Sequence, residues 1–163
     1  MSAALLSYVI IERLLELVIA RRNTRRLLAR GAEEIGASHY PIMIALHVSW
    51  LAAVLCWVAV MSPDINAAFL VLYLLVQALR IWVMITLGPY WTTRIITLAD
   101  APLVKHGPYK FIRHPNYVVV VLEIAALPLV FGAWQIAAIF SLLNAAMLWV
   151  RIRAENQALS RRR

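Results

Sequence analysis

Cysteine is almost absent: Cys56 stands alone among 163 residues. That excludes an internal disulfide and any cluster in which several cysteines hold a metal. Cys56 lies inside an apolar run, where a thiol packs as a small hydrophobe. Histidine is scarce too, and His39, His47, His106 and His114 lack a compact metal-ligand spacing, so no metal site is expected. No internal repeat or low-complexity linker divides the chain, and residues 1–163 are expected to form one domain. The N-terminus lacks the basic start of a cleavable signal peptide, and its apolar run carries charges.

What the chain has is apolar sequence in long runs. Hydrophobic residues make up 63% and mean hydropathy is +0.77, whereas a soluble domain is about half apolar. Five segments stand out: Ala3–Ala20, Ile42–Met61, Ala67–Leu87, Tyr117–Phe131 and Ala133–Val150. A helix rises about 1.5 Å per residue, so about 20 residues cross the ~30 Å hydrocarbon core of a bilayer. The expected fold class is all-α: a polytopic integral membrane protein with about five transmembrane helices. Only Gly132 separates the last two segments, which are expected to form a helical hairpin turning near Pro128–Gly132.

The net charge of +8 raises the question of nucleic acid, and the placement of the charges answers it. Arg21, Arg22, Arg25, Arg26 and Arg30 fall in the 21–41 connection. Arg94, Lys105, Lys110 and Arg113 fall in the 88–116 connection. Arg151, Arg153 and Arg161–Arg163 follow the last segment. The connections around Pro63–Asn66 and at Gly132 hold none. Alternate basic connections are the positive-inside pattern of a multi-pass protein. Both long loops and the C-terminus are therefore expected in the cytoplasm, with the N-terminus outside and no nucleic-acid partner.

Charges at membrane depth are costly, so they tend to be paired or functional. Glu12 and Glu16 share a helical face and Arg13 reaches Glu16. This trio reads as an interhelical charge cluster, with Arg80 a possible partner. Glu123 lies six residues after Tyr117, where it can face whatever the preceding loop holds. Arg151 and Glu155 are four apart at the end of the last segment, in the poorer order for a simple helical pair. That order favours other partners for each.

The densest chemistry is in HGPYKFIRHPNY, residues 106–117. Gly107-Pro108 signals a turn, and Pro115 biases His114 away from helix. Arg113 offers a planar fork for carboxylate or phosphate, and Tyr109 and Tyr117 offer aromatic faces. Interfacial anchoring accounts for Tyr117 and Lys110, but not for the rest of the turn. Gly31, Gly36 and Pro41 form a turn-rich approach to the second segment. His39 is a candidate for substrate contact or for structure; His47 is also a candidate contact, with one helical partner as the simpler account.

Gly107-Pro108-Tyr109, Arg113-His114-Pro115-Asn116-Tyr117, Glu123, Pro128 and Arg151-x-x-x-Glu155 together resemble the isoprenylcysteine carboxyl methyltransferase family. The resemblance spans roughly 88–160 and implies an integral membrane enzyme using S-adenosylmethionine. It also implies cofactor contacts at His106, Gly107, Pro108, Tyr109, Arg113, His114, Tyr117 and Glu123, beside the cytosol. Arg151 and Glu155 become candidate catalytic residues, and His39, His47 and Arg151 candidate substrate contacts. A lipophilic acceptor would arrive from the bilayer. Where the family usually has a Glu-Glu pair, Glu155 is followed by Asn156. The N-terminal half, through Glu12-Arg13, Glu16, Arg22-Asn23, Gly31, Glu33, Gly36, His39-Tyr40-Pro41, Met43 and His47, is similar to a bacterial subgroup. That subgroup is associated with O-methylation of alkylpyrones or alkylresorcinols, which implies a bacterial inner membrane; an isoprenylcysteine-type carboxylate is the second acceptor class. Two competing readings stay open. Sterol reductases share Arg-His-Pro-Asn-Tyr, which would make the chain an NADPH-dependent reductase, although those chains are usually much longer. A non-catalytic scaffold binding membrane lipids through its basic loops is the other.

Overall fold

The computed structural model describes residues 2–99, 101 and 104–160; Arg161–Arg163, counted above among the basic residues, lie outside the described residues. Five helices carry the fold: α1 (Ser2–Leu28), α2 (Tyr40–Met61), α3 (Ala67–Leu87), α4 (Pro115–Val130) and α5 (Trp134–Ser160). Two three-residue strands, β1 (Glu33–Ile35) and β2 (Ile95–Thr97), pair antiparallel with Glu34 opposite Ile96. Among the described residues, three helical stretches are long and apolar enough to cross a membrane: 37–61, 67–90 and 134–158. Five were expected. α4, at 16 residues, is short, and α1 carries Glu12, Arg13 and Glu16 along its length.

Local signals explain most boundaries. Asn66 caps α3, its Oδ1 accepting from the backbone N–H groups of Ala68 and Phe69 at 3.1 and 3.3 Å, which satisfies two donors that a helix start leaves open. Pro41 and Pro115 stand in the first turns of α2 and α4, where a missing N–H costs nothing. Pro128 sits inside the last turns of α4 and deprives the Ile124 carbonyl of its helical donor. The indole N–H of Trp50, on α2, donates to that carbonyl at 3.2 Å. Trp57 does the same for the Phe131 carbonyl at 2.9 Å. The α2 tryptophans thus complete the hydrogen bonding of the α4 end.

α4 packs against both α3 and α5, and α2 packs on α5. Leu6, Val9, Trp50, Val54, Tyr73, Ile124, Leu127 and Phe131 form the larger core cluster. The outer faces are apolar as well. On α1, Ile11, Leu14, Leu15 and Val18 are 57–63% exposed and recur at helical spacing, making one apolar stripe turned away from the bundle. The opposite face of α1 turns Glu12, Arg13 and Glu16 inward.

Those charges meet partners on two other helices. Arg13 binds Glu16 at 2.7 Å and Glu123 of α4 at 2.5 Å. Arg80 of α3 binds Glu16 at 3.0 Å and also pairs with Glu123. Gln77 Nε2 donates to Glu123 at 2.7 Å. Breaking one member of such a buried set strands a charge and costs about 3–5 kcal/mol.

The two long basic connections converge at one end of the bundle. β1 lies in the first and β2 in the second. Arg94 binds Glu34 at 2.7 Å and lies over the Tyr40 ring at 4.3 Å, while the Tyr40 hydroxyl meets Thr93 Oγ1 at 2.9 Å. From α1, Asn23 Nδ2 donates to the Gly88 and Trp91 carbonyls at 3.1 and 2.8 Å. From α5, Arg151 donates to the Thr93 carbonyl at 3.0 Å.

Candidate active site

This shared end holds a cleft of about 680 Å³, within the range of about 300–1,000 Å³ typical of small-molecule sites. Three walls enclose it. The β2 segment contributes Thr92, Arg94 and Thr97; the 105–117 loop contributes Tyr109, Arg113, His114, Asn116 and Tyr117; the end of α5 contributes Arg151, Glu155 and Asn156.

The loop is built to bring its side chains there. Gly107, at φ +56°, opens a 3-10 turn over 107–110, and a Cβ on it would lie 2.6 Å from Thr86 Oγ1 of α3. Only glycine allows the turn to dock so closely with that backbone. The Pro108 carbonyl, itself in a buried residue, accepts from the N–H groups of Phe111 and Ile112 at 3.2 and 3.0 Å. His114 then stands outside helical geometry, at φ −130° and ψ 64°, before Pro115 starts α4.

Glu155 organises the polar centre. The Tyr117 hydroxyl donates to its Oε2 at 2.5 Å, a short charge-assisted bond. His114 Nδ1 lies 3.7 Å from the same oxygen, and the His114 and Tyr117 rings stack at 5.5 Å. Among the described residues, His114 Nε2, Asn156 Oδ1 and Thr97 Oγ1 are buried without a hydrogen-bond partner. Buried polar atoms are normally satisfied, so these three, on residues that line the cleft, could take a ligand's polar groups. Burial, and then the nearby Glu155 charge, push the Tyr109 hydroxyl above its ordinary range, which keeps it a neutral donor. The donor set suits S-adenosylmethionine: a guanidinium at Arg113 for a carboxylate, Glu155 for a cation, and tyrosine faces for a purine.

Tyr109, Arg113, His114, Tyr117, Arg151 and Glu155 therefore share one cleft. The other expected residues lie elsewhere. Gly107 and Pro108 shape the turn without lining the cleft, and His106 is exposed beside a smaller recess with Thr86 and Pro89. Glu123, expected to face the loop's ligand, is turned instead to Arg13, Arg80 and Gln77, since two guanidiniums and an amide outcompete a distant cleft. His47 bonds through Nδ1 to the Met43 carbonyl of its own helix at 2.8 Å. It lies about 12 Å along α2 from His39. His39 fills the space over Gly36, where a Cβ would come within 2.0 Å of its ring. Neither histidine is among the residues lining the cleft, although His39 lies within reach of the Arg151 charge. Thr92, Arg94 and Thr97 were not anticipated as cleft residues. The run Thr92-Thr93-Arg94 in an otherwise apolar neighbourhood was the available signal.

The chain is 40% identical to YpbQ, an uncharacterized protein of Bacillus subtilis (strain 168), over 158 residues that cover 95% of this chain and 94% of that one. It is 26% identical to an uncharacterized protein of Haemophilus influenzae over 152 residues, 91% of this chain and 88% of that one. No solved structure matches the chain significantly. The model of the isoprenylcysteine carboxyl methyltransferase family matches residues 68–161, from the start of α3 to the end of α5. That stretch is more than half of the sequence and includes the cleft-lining positions of the loop and of α5: the chain belongs to the isoprenylcysteine carboxyl methyltransferase family.

Proposed function

We propose that the protein is an S-adenosylmethionine-dependent O-methyltransferase that acts on a lipophilic acceptor at the cytoplasmic face of a bacterial inner membrane. Members of its family are membrane methyltransferases that take their methyl group from S-adenosylmethionine. The observation that carries the reading is the meeting of Arg113, His114 and Tyr117 with Arg151 and Glu155 around one cleft at the end of apolar helices. We also read α1 and α4 as spans, because Glu12, Arg13 and Glu16 of α1 point inward, its apolar stripe points out and its exposed arginines gather at one end. The N-terminus is then outside and both basic connections are cytoplasmic.

The cofactor would supply a methyl group on a sulfonium, ready for in-line displacement. The chain's own residues do the rest. Arg113, exposed at the rim, holds a carboxylate, and His114 Nε2 and Asn156 Oδ1 take polar groups further in. Glu155, fixed by the Tyr117 hydroxyl, faces positive charge or receives a proton from the acceptor. Arg151, anchored on the Thr93 carbonyl, orients an anionic acceptor oxygen. Much of the rate enhancement comes from holding the reacting atoms in line and out of water. An acidic enol or a carboxylate arrives ionised and needs no strong base.

For the acceptor, an alkylpyrone- or alkylresorcinol-like polyketide comes first and an isoprenylcysteine-type carboxylate second. Purified enzyme in nanodiscs, given methyl-labelled cofactor and a membrane lipid extract, should label a lipid. An alkali-stable ether supports the polyketide class, and an alkali-labile ester the carboxylate class. Absence of labelled lipid, together with saturable NADPH binding, would sink the methyltransferase reading.

A further inference from the structure

One surface remains unexplained by methyl transfer. Between the 107–110 turn and His114, Phe111 is 76% exposed and Ile112 is 40% exposed. Both also edge the cleft. Lys110 and Arg113 flank the pair, and both are exposed, as is Lys105 five residues upstream. Lys110 Nζ lies 5.8 Å from the Phe111 ring. Glu155 is the single carboxylate among the described residues lining the cleft, and it is turned inward to Tyr117. Among the described residues the rim around the apolar pair thus carries positive side chains.

The level of this rim relative to a bilayer can be read from α5. Trp149 is 58% exposed on the outer face, with the Arg153 guanidinium stacked 3.7 Å from its ring. An outward tryptophan beside an arginine at the end of an apolar helix marks the membrane–water interface. Arg151, between them in sequence, turns inward and lines the same cleft as Phe111 and Ile112. The loop therefore stands at headgroup level, where an exposed Phe-Ile pair between cations is an insertion element.

We propose that Lys110–Arg113 is a bilayer lip bound to anionic phospholipid. Phe111 and Ile112 seat in the boundary between headgroups and acyl chains, and Lys105 and Lys110 hold lipid phosphates, leaving Arg113 to the cleft. The cleft then opens onto the leaflet surface as well as to water. This surface needs no assumption about the reaction inside the cleft.

The test uses the full chain with Cys56→Ala and Ile112→Cys, carrying an environment-sensitive nitrobenzoxadiazole label at 112. It is reconstituted in nanodiscs of phosphatidylcholine alone or of equimolar phosphatidylcholine and phosphatidylglycerol. The label should shift to the blue in the anionic discs and be quenched by shallow doxyl-labelled lipid. Lys105→Gln and Lys110→Gln should each lower the inserted-to-free ratio by about fivefold, the ~1 kcal/mol that one basic residue contributes near an anionic surface. Phe111→Ser should lower it further. Water-like, unquenched emission in both discs overturns the proposal and leaves the lip to a soluble partner. Equal insertion in both discs, or insertion indifferent to Phe111→Ser, overturns it too.

Discussion

Trp50 donates its indole N–H to the Ile124 carbonyl, the one in α4 whose helical donor Pro128 removes. The tryptophan and the proline are one device, although they lie on different helices. Trp50→Phe leaves that buried carbonyl without a donor and should cost about 1–3 kcal/mol. Adding Pro128→Ala returns an N–H four residues on. The cost of Trp50→Phe should shrink in that background, as measured by unfolding of the four variants of the cycle in detergent. Equal costs in both backgrounds would show that the tryptophan acts by packing alone.

Glu123 joins Arg13, Arg80 and Gln77 rather than the cleft. Glu123→Gln should destabilise the bundle by about 3–5 kcal/mol, because two buried guanidiniums lose a shared counter-charge. Binding of S-adenosylhomocysteine to the folded fraction should be unchanged by calorimetry. A selective loss of binding at unaltered stability would return Glu123 to the site.

Arg151 reaches the cleft from α5 and rests on the Thr93 carbonyl. Arg151→Ala should lower turnover about 100-fold or more, as expected when a preorganised donor to a reacting oxygen is removed. Affinity for S-adenosylhomocysteine should hold. If both fall together, Arg151 serves the cofactor pocket instead.

Gly107 docks the loop on Thr86 in a left-handed conformation. Gly107→Ala carries about 1–2 kcal/mol of backbone strain in addition to the contact with Thr86 Oγ1. Thr86→Ala should recover the steric part and leave the strain. Thermal unfolding of the two single variants and the double variant separates these contributions.

Much of this arrangement was legible in the sequence, and the reasons differ by residue. Arg151 and Glu155 are four apart, so one helix face carries both to the same cleft. Arg113, His114 and Tyr117 lie within five positions and need only a turn, which Gly107-Pro108 announces. Ala67–Leu87 coincides with α3 because Asn66 caps one end and Gly88 closes the other. Glu123 was illegible because its partners are 110 and 43 residues away, at Arg13 and Arg80. Spacing along one helix says nothing about a carboxylate claimed by two others. The β1–β2 pair was equally hidden, since three-residue strands leave too little room for an alternating pattern. α1 ran on to Leu28, beyond the expected Ala20, because arginines at a helix end are helix-compatible and stabilise its C-terminus.

The ion network also sets the vertical position of α1. Two carboxylates four apart, Glu12 and Glu16, are by themselves degenerate: a slide of one turn, about 5.4 Å, would put Glu12 opposite Arg80 in place of Glu16. Arg13 removes the ambiguity. The same slide would bring Val9 to its place and leave Glu123 facing a hydrocarbon side chain. The cation works as an index pin, holding α1 at the one depth where Asn23 also meets the Gly88 and Trp91 carbonyls.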